Sequence, residues 1–116
     1  MNADAFTRLS PQQTYDAVKE GRAILLDIRN IEEFAAERIP GAMLAPMGEL
    51  QLHALPSQEA KTIILQCRSG GRTAALAEHL IGAGAVDSIA HLEGGILAWK
   101  AEGLPTICPD PARAVV

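Results

Sequence analysis

Short apolar runs, each bounded by glycine, proline or a helix-capping residue, recur along this chain. Ala23-Ile24-Leu25-Leu26, leading into Asp27-Ile28-Arg29, and Thr62-Ile63-Ile64-Leu65 are unbroken at strand length. Such runs suit strands buried on both faces, as in parallel sheets. Further strands are expected at residues 42–45 and 88–92. Helices fall between them. Ser10-Pro11-Gln12-Gln13 combines an N-cap, a proline at the first helical position and a capping-box glutamine, and Gly21 sits where that helix stops. Asn30 with Glu33 opens a short helix over residues 31–37, broken by Pro40-Gly41. Residues 47–55 read as another, closed by Pro56. After Arg72, the residues Leu76, Ala77, Leu80 and Ile81 share one helical face, and Gly82 and Gly84 end it. A last helix surrounds Leu97-Ala98-Trp99 and closes at Gly103 and Pro105. This alternation predicts an α/β fold with a mainly parallel central sheet and helices on both faces.

Composition narrows the function. At 116 residues the chain suits one domain with its own core. Its 48% hydrophobic content at a net charge of −4 is unlike a disordered segment. Without a basic stripe, and with only Phe6, Tyr15, Phe34 and Trp99 as aromatics, nucleic acid is not an expected partner. No apolar run approaches the roughly 18–20 residues of a membrane span. The N-terminus lacks the basic-then-apolar pattern of a signal peptide, so a cytoplasmic location is expected. Two cysteines are too few for a disulfide scaffold or a four-ligand zinc site. Neither metal nor cofactor is expected.

The chemistry points to one place, where an apolar strand runs into Cys67-Arg68-Ser69-Gly70-Gly71-Arg72 and then a helix. A thiol reacts as its thiolate, which is scarce at neutral pH unless stabilised. Loop amides converging on the sulfur, the helix N-terminus and two arginines would all favour the anion. Gly70 and Gly71 are expected to permit backbone that a Cβ would obstruct. The same cradle would hold an anionic substrate above the sulfur. A buried free cysteine before an ordinary glycine-rich turn is the plainer reading; two glycines and two arginines within five residues favour the reactive thiol. Arg68 is expected to face substrate and Arg72 to brace the loop, with Ser69, Gly70 and Gly71 completing the cradle. Asp27 and Arg29 lie at a strand C-terminus, the edge where open α/β sheets carry their sites. They either orient the loop or form a structural ion pair, and the second role is favoured. Glu93-Gly94-Gly95 forms a turn that lines the pocket or serves only as a turn. Trp99 reads as core, and His53, His79 and His91 as surface or packing histidines. Cys108 reads as an incidental surface cysteine, ahead of a resolving thiol.

Four ordered elements resemble the rhodanese-like (sulfurtransferase) domain family. They are Leu26-Asp27-Ile28-Arg29 with Glu33-Phe34; Arg38-Ile39-Pro40-Gly41-Ala42; the loop from Cys67 to Arg72; and Leu92-Glu93-Gly94-Gly95-Ile96-Leu97-Ala98-Trp99, continuing through Gly103-Leu104-Pro105. Arg38 stands where that family usually has histidine, a change expected to affect packing or surface polarity. The resemblance implies a rhodanese-like domain over residues 1–107, and the segment beginning Cys108-Pro109-Asp110-Pro111 reads from its own residues as a linker-like tail over 108–116. It implies sulfur transfer from thiosulfate or a similar donor, through a Cys67 persulfide, to cyanide or a cellular thiol. Two alternatives stand beside it. One is a non-enzymatic thiol-sensing or binding module of the same fold. The other is a cysteine phosphatase or arsenate reductase, disfavoured because the phosphatases use C-x5-R and this loop is C-x4-R. Similarity to bacterial proteins that join such a domain to a membrane anchor gives the expectation that the chain is an excised domain of a longer parent.

Overall fold

The computed structural model describes residues 5–49 and 61–109. Its strands are β1 (Phe6–Leu9), β2 (Ala23–Asp27), β3 (Met43–Leu44), β4 (Thr62–Gln66) and β5 (Ile89–Leu92). Its helices are α1 (Pro11–Lys19), α2 (Ile31–Ala36), α3 (Gly71–Gly82) and α4 (Gly95–Ala101), with one 3-10 turn at Met47–Glu49. The helix expected over residues 47–55 is represented by that turn; the rest of the stretch lies outside the described residues.

All five strands are parallel, in the order β1-β5-β4-β2-β3. The two longest apolar runs become inner neighbours, paired from Ala23 opposite Thr62 to Asp27 opposite Gln66. Burial on both faces explains why neither run alternates. Strand β1 has no such signature. Its Thr7 and Arg8 are exposed at the sheet edge, and it pairs with β5 from Phe6 opposite Ile89 to Leu9 opposite Leu92.

Both capping boxes form. Ser10 Oγ accepts from the Gln13 amide at 3.1 Å while the Ser10 amide donates to Gln13 Oε1. Asn30 and Glu33 repeat the exchange at the start of α2.

Side-chain alternation divides the core between the sheet faces. Ile63, Leu65 and Cys67 join Leu26, Ile28, Leu76, Ala77 and Leu80 beneath α3. Ile64 points the other way, to Leu25, Ala90, Leu92, Ile96 and Trp99 beneath α1 and α4. Trp99 is buried, as its helical spacing predicts, and its Nε1–H donates to the Pro105 carbonyl at 2.8 Å.

Arg38 stacks over the Phe34 ring, 5.0 Å from its centroid. Its backbone forms an antiparallel bridge with Ile107. Next to it, Glu37 accepts hydrogen bonds from Lys100 Nζ (2.8 Å), Thr106 Oγ1 (2.7 Å) and Cys108 Sγ (3.2 Å). These contacts hold the chain after α4 against the end of α2. Among the described residues no helix is long and apolar enough to cross a membrane.

From β2 the chain advances outward to β3, whereas from β4 it turns the opposite way to β5. The C-terminal ends of β2 and β4 therefore flank a topological switch point, where open α/β sheets form crevices.

Candidate active site

Cys67 follows β4 and prolongs its alternation, so its side chain turns toward α3. The residue is 1% exposed. Its sulfur accepts the Gly70 amide at 3.1 Å and lies 3.6 Å from the Thr73 hydroxyl. Burial is the largest single influence on the thiol and pushes it up. The Thr73 hydroxyl and the amides of Thr73, Gly70 and Ser69 together outweigh burial and hold the thiol below its ordinary value.

The loop closes because Gly70 takes φ +102°, and a Cβ there would meet the Gly94 nitrogen at 3.2 Å. Gly71 differs from expectation. As the first residue of α3 it has ordinary backbone, with open space where a Cβ would go. Only one of the two adjacent glycines is conformationally required.

From the opposite side, the first turn of α4 holds the loop. The Ile96 amide donates to the Cys67 carbonyl at 3.0 Å, and the Leu97 amide to the Arg68 carbonyl at 3.1 Å. Gly95 makes that approach possible, since a Cβ there would collide with those two carbonyls. The Glu93-Gly94-Gly95 turn thus abuts the cysteine loop directly, with the Glu93 side chain exposed.

The two loop arginines differ. Arg72 forms a two-pronged ion pair with Glu33, at 2.9 and 3.1 Å, tying the start of α3 to α2. Arg72 in turn lowers the Glu33 carboxyl below the usual carboxylate range. Glu33 is the main stabiliser of the Arg72 cation, and the charge on Cys67 adds to it. Arg68 is exposed and has no ion-pair partner among the described residues; Ser69 is exposed beside it. Arg72 is therefore engaged in bracing, while Arg68 is not engaged by any described residue.

Asp27 and Arg29 form a buried pair, with Arg29 Nη2 2.7 Å from Asp27 Oδ2. The same nitrogen donates to the Glu37 carbonyl at 2.6 Å. This links the end of β2 to the end of α2, as a structural ion pair would. Cys108 is exposed and forms no disulfide. His53 lies outside the described residues.

Thr73, beside the sulfur, and His91, behind Thr73, escaped the sequence reading. Thr73, fully buried in the first turn of α3, touches Cys67, Gly70 and His91. His91 is 4% exposed, and its Nδ1 lies 2.7 Å from Thr73 Oγ1. Period-two alternation from Ile89, which faces α3, would have placed His91 on the same face as Cys67. Glu33 was legible as a capping residue and as part of a family element, but not as the partner of Arg72.

Comparison with known proteins agrees with this architecture. The rhodanese-like domain family matches residues 10–102, and the chain belongs to that family. It is similar to an uncharacterized protein of Synechocystis, 39% identical over 85% of this chain. The match spans about half of that relative's length, 55%. A protein of Allochromatium vinosum named sulfurtransferase is 32% identical, over 75% of this chain and 80% of its own. A solved rhodanese-like domain protein from Staphylococcus aureus superposes with a TM-score of 0.69 at 28% identity, covering 85% of this chain and 96% of that one.

Proposed function

We propose that the chain is a sulfurtransferase that carries sulfane sulfur as a persulfide on Cys67. The observation behind this reading is a buried thiol stabilised as its anion by loop amides and a hydroxyl, beneath a loop whose exposed cation, Arg68, has no ion-pair partner among the described residues. With thiosulfate as donor, the Cys67 thiolate attacks the outer sulfur. A new S–S bond forms, the donor's S–S bond breaks, and its electron pair leaves with sulfite. Cyanide or an acceptor thiolate then attacks the outer sulfur of the persulfide and restores the Cys67 thiolate as leaving group. No net proton transfer is needed, so the chemistry asks chiefly for anion stabilisation. A sulfur with so little exposure favours a donor that presents one slim terminal atom over a tetrahedral phosphoryl group. The short C-x4-R loop supports the same preference.

The test is the intact mass after incubation with thiosulfate. A species heavier by one sulfur atom is expected in the parent and absent from Cys67→Ser, and thiocyanate should be released on adding cyanide. A parent that never gains sulfur would overturn the reading. One that loads sulfur but releases it to neither cyanide nor thiols would instead be a thiol-sensing module.

A further inference from the structure

Thr73 Oγ1 has three polar neighbours: His91 Nδ1 at 2.7 Å, the Gly70 carbonyl at 3.0 Å and Cys67 Sγ at 3.6 Å. A hydroxyl has one proton and two lone pairs, so these neighbours compete. The Gly70 carbonyl also receives the Ala74 amide at 3.1 Å, so it keeps a donor if Thr73 turns away. His91 decides the rest. If its proton is on Nε2, then Nδ1 must accept the Thr73 proton. The sulfur then loses its side-chain donor, and Nε2–H is left buried with no partner among the described residues. If the proton is on Nδ1, it donates to a Thr73 lone pair, and the Thr73 proton is free for the sulfur. The buried Nε2 is then an acceptor with no partner among the described residues, a lesser cost than an orphaned N–H.

We propose that His91 is a positioning residue, which by donating its Nδ1 proton to Thr73 reserves the Thr73 hydroxyl proton for the sulfur of Cys67. The chain Nδ1–H to Oγ1–H to sulfur is polarised in one direction, so each bond strengthens the next. The ring is buried, with the Phe6 ring 4.8 Å away. The charged groups acting on it are Arg8 on β1 and Glu93 beyond the end of β5; on the α3 side it faces Thr73 and, through it, Cys67. Burial first, then Arg8, lowers its basicity, with Glu93 opposing, so the imidazole is neutral near pH 7. This deepens the sulfurtransferase reading and rests on it for its purpose. In the persulfide, charge moves to the outer sulfur and the Thr73 proton can return to the Gly70 carbonyl. When an acceptor removes that sulfur, Cys67 leaves as thiolate and the proton swings back to meet it.

The test reads the thiol itself, so it does not depend on turnover. In a Cys108→Ser background, the pH profile of Cys67 alkylation by iodoacetamide should shift upward in His91→Phe. About tenfold less thiolate is expected at a given pH below the midpoint, since one pH unit is a factor of ten. His91→Asn, whose amide N–H can take the place of Nδ1–H, should recover most of that loss. Thr73→Val should shift the profile similarly, and adding His91→Phe to it should do nothing more. In the unsubstituted protein, a long-range proton–nitrogen spectrum should show the Nδ1–H tautomer. Three results would overturn the proposal: an unshifted profile in folded His91→Phe, an equal further shift on the Thr73→Val background, or the Nε2–H tautomer. The last needs no variant to fold. A profile that shifts as expected in a protein that never gains sulfur would sink the sulfurtransferase reading and leave the His91 assignment standing.

Discussion

At the scale of single residues, the donors around the Cys67 sulfur come from a five-residue stretch of backbone and one hydroxyl, while the nearby charges have separate duties. Arg72 is held by Glu33, so Arg68, without an ion-pair partner among the described residues, is the cation that the proposed function assigns to an anionic donor. Arg68→Ala should raise KM for thiosulfate roughly tenfold with a smaller effect on kcat, because a lost charge-assisted contact costs about 1.5 kcal/mol or more. Steady-state kinetics at varied thiosulfate would check it. The adjacent glycines should separate sharply. Gly70→Ala forces an L side chain to φ +102° against the Gly94 backbone. It should cost about 1–3 kcal/mol and slow persulfide loading. Gly71→Ala, in open space at a helix start, should change Tm by little in either direction. Thermal melts of the two variants decide this. The sequence made the loop legible because its residue types are unusual together. It did not separate the glycines, since φ depends on where Gly94 comes to lie. His91 was missed for a related reason: no pattern local to β5 reveals that Thr73 sits opposite.

Elements were legible wherever local chemistry sets them. Ser10 with Gln13 and Asn30 with Glu33 cap their helices within four residues, so both starts could be read directly. Strand β1 could not, because its four residues are held by pairing with β5, more than eighty positions away. The clasp between α2 and the chain after α4 is equally non-local, and it carries a pH signature. Lys100 first, then Thr106 and Cys108, draw the Glu37 carboxyl down to about 2. A carboxyl depressed in the folded state contributes stability that is complete above its unfolded value and is lost as pH falls through the folded one. Glu37→Gln should therefore lower Tm at neutral pH. The effect is about 1 kcal/mol, because Lys100 is nearly half exposed and solvent screens the pair. The gap between variant and parent should narrow below about pH 4.5 and close near pH 2. Melting curves across that range would show it.

For the whole molecule, one sheet separates two apolar layers, and the sulfur belongs to the layer under α3. Leu80 is wholly buried in that layer. Leu80→Ala should cost about 3 kcal/mol, within the range of 2–5 for such truncations. Trp99, the sole tryptophan, is buried in the other layer. If the sheet couples the two, Trp99 fluorescence and Cys67 alkylation should report one shared denaturant midpoint, displaced together in the variant. The α/β class and the parallel sheet were legible because buried parallel strands have continuous apolar runs. The strand order was not, since nothing in the runs says which neighbours they choose.

The hold of α4 on the loop has a consequence for how charge moves. A trans peptide is planar, with its carbonyl and its N–H pointing opposite ways. By fixing the Cys67 and Arg68 carbonyls on its own amides, α4 turns the N–H groups of Arg68 and Ser69 to the opposite side of the loop. The polarity of the cradle is thus set from outside it, by Ile96, which is anchored in the core. Such dipoles act as a solvation shell that is already frozen in place. In the proposed reaction, negative charge would arrive on the sulfur, move to a second sulfur and return while these backbone dipoles stay in place and only the Thr73 hydroxyl turns. Most of the reorganisation that water would demand at each transfer is thus met during folding.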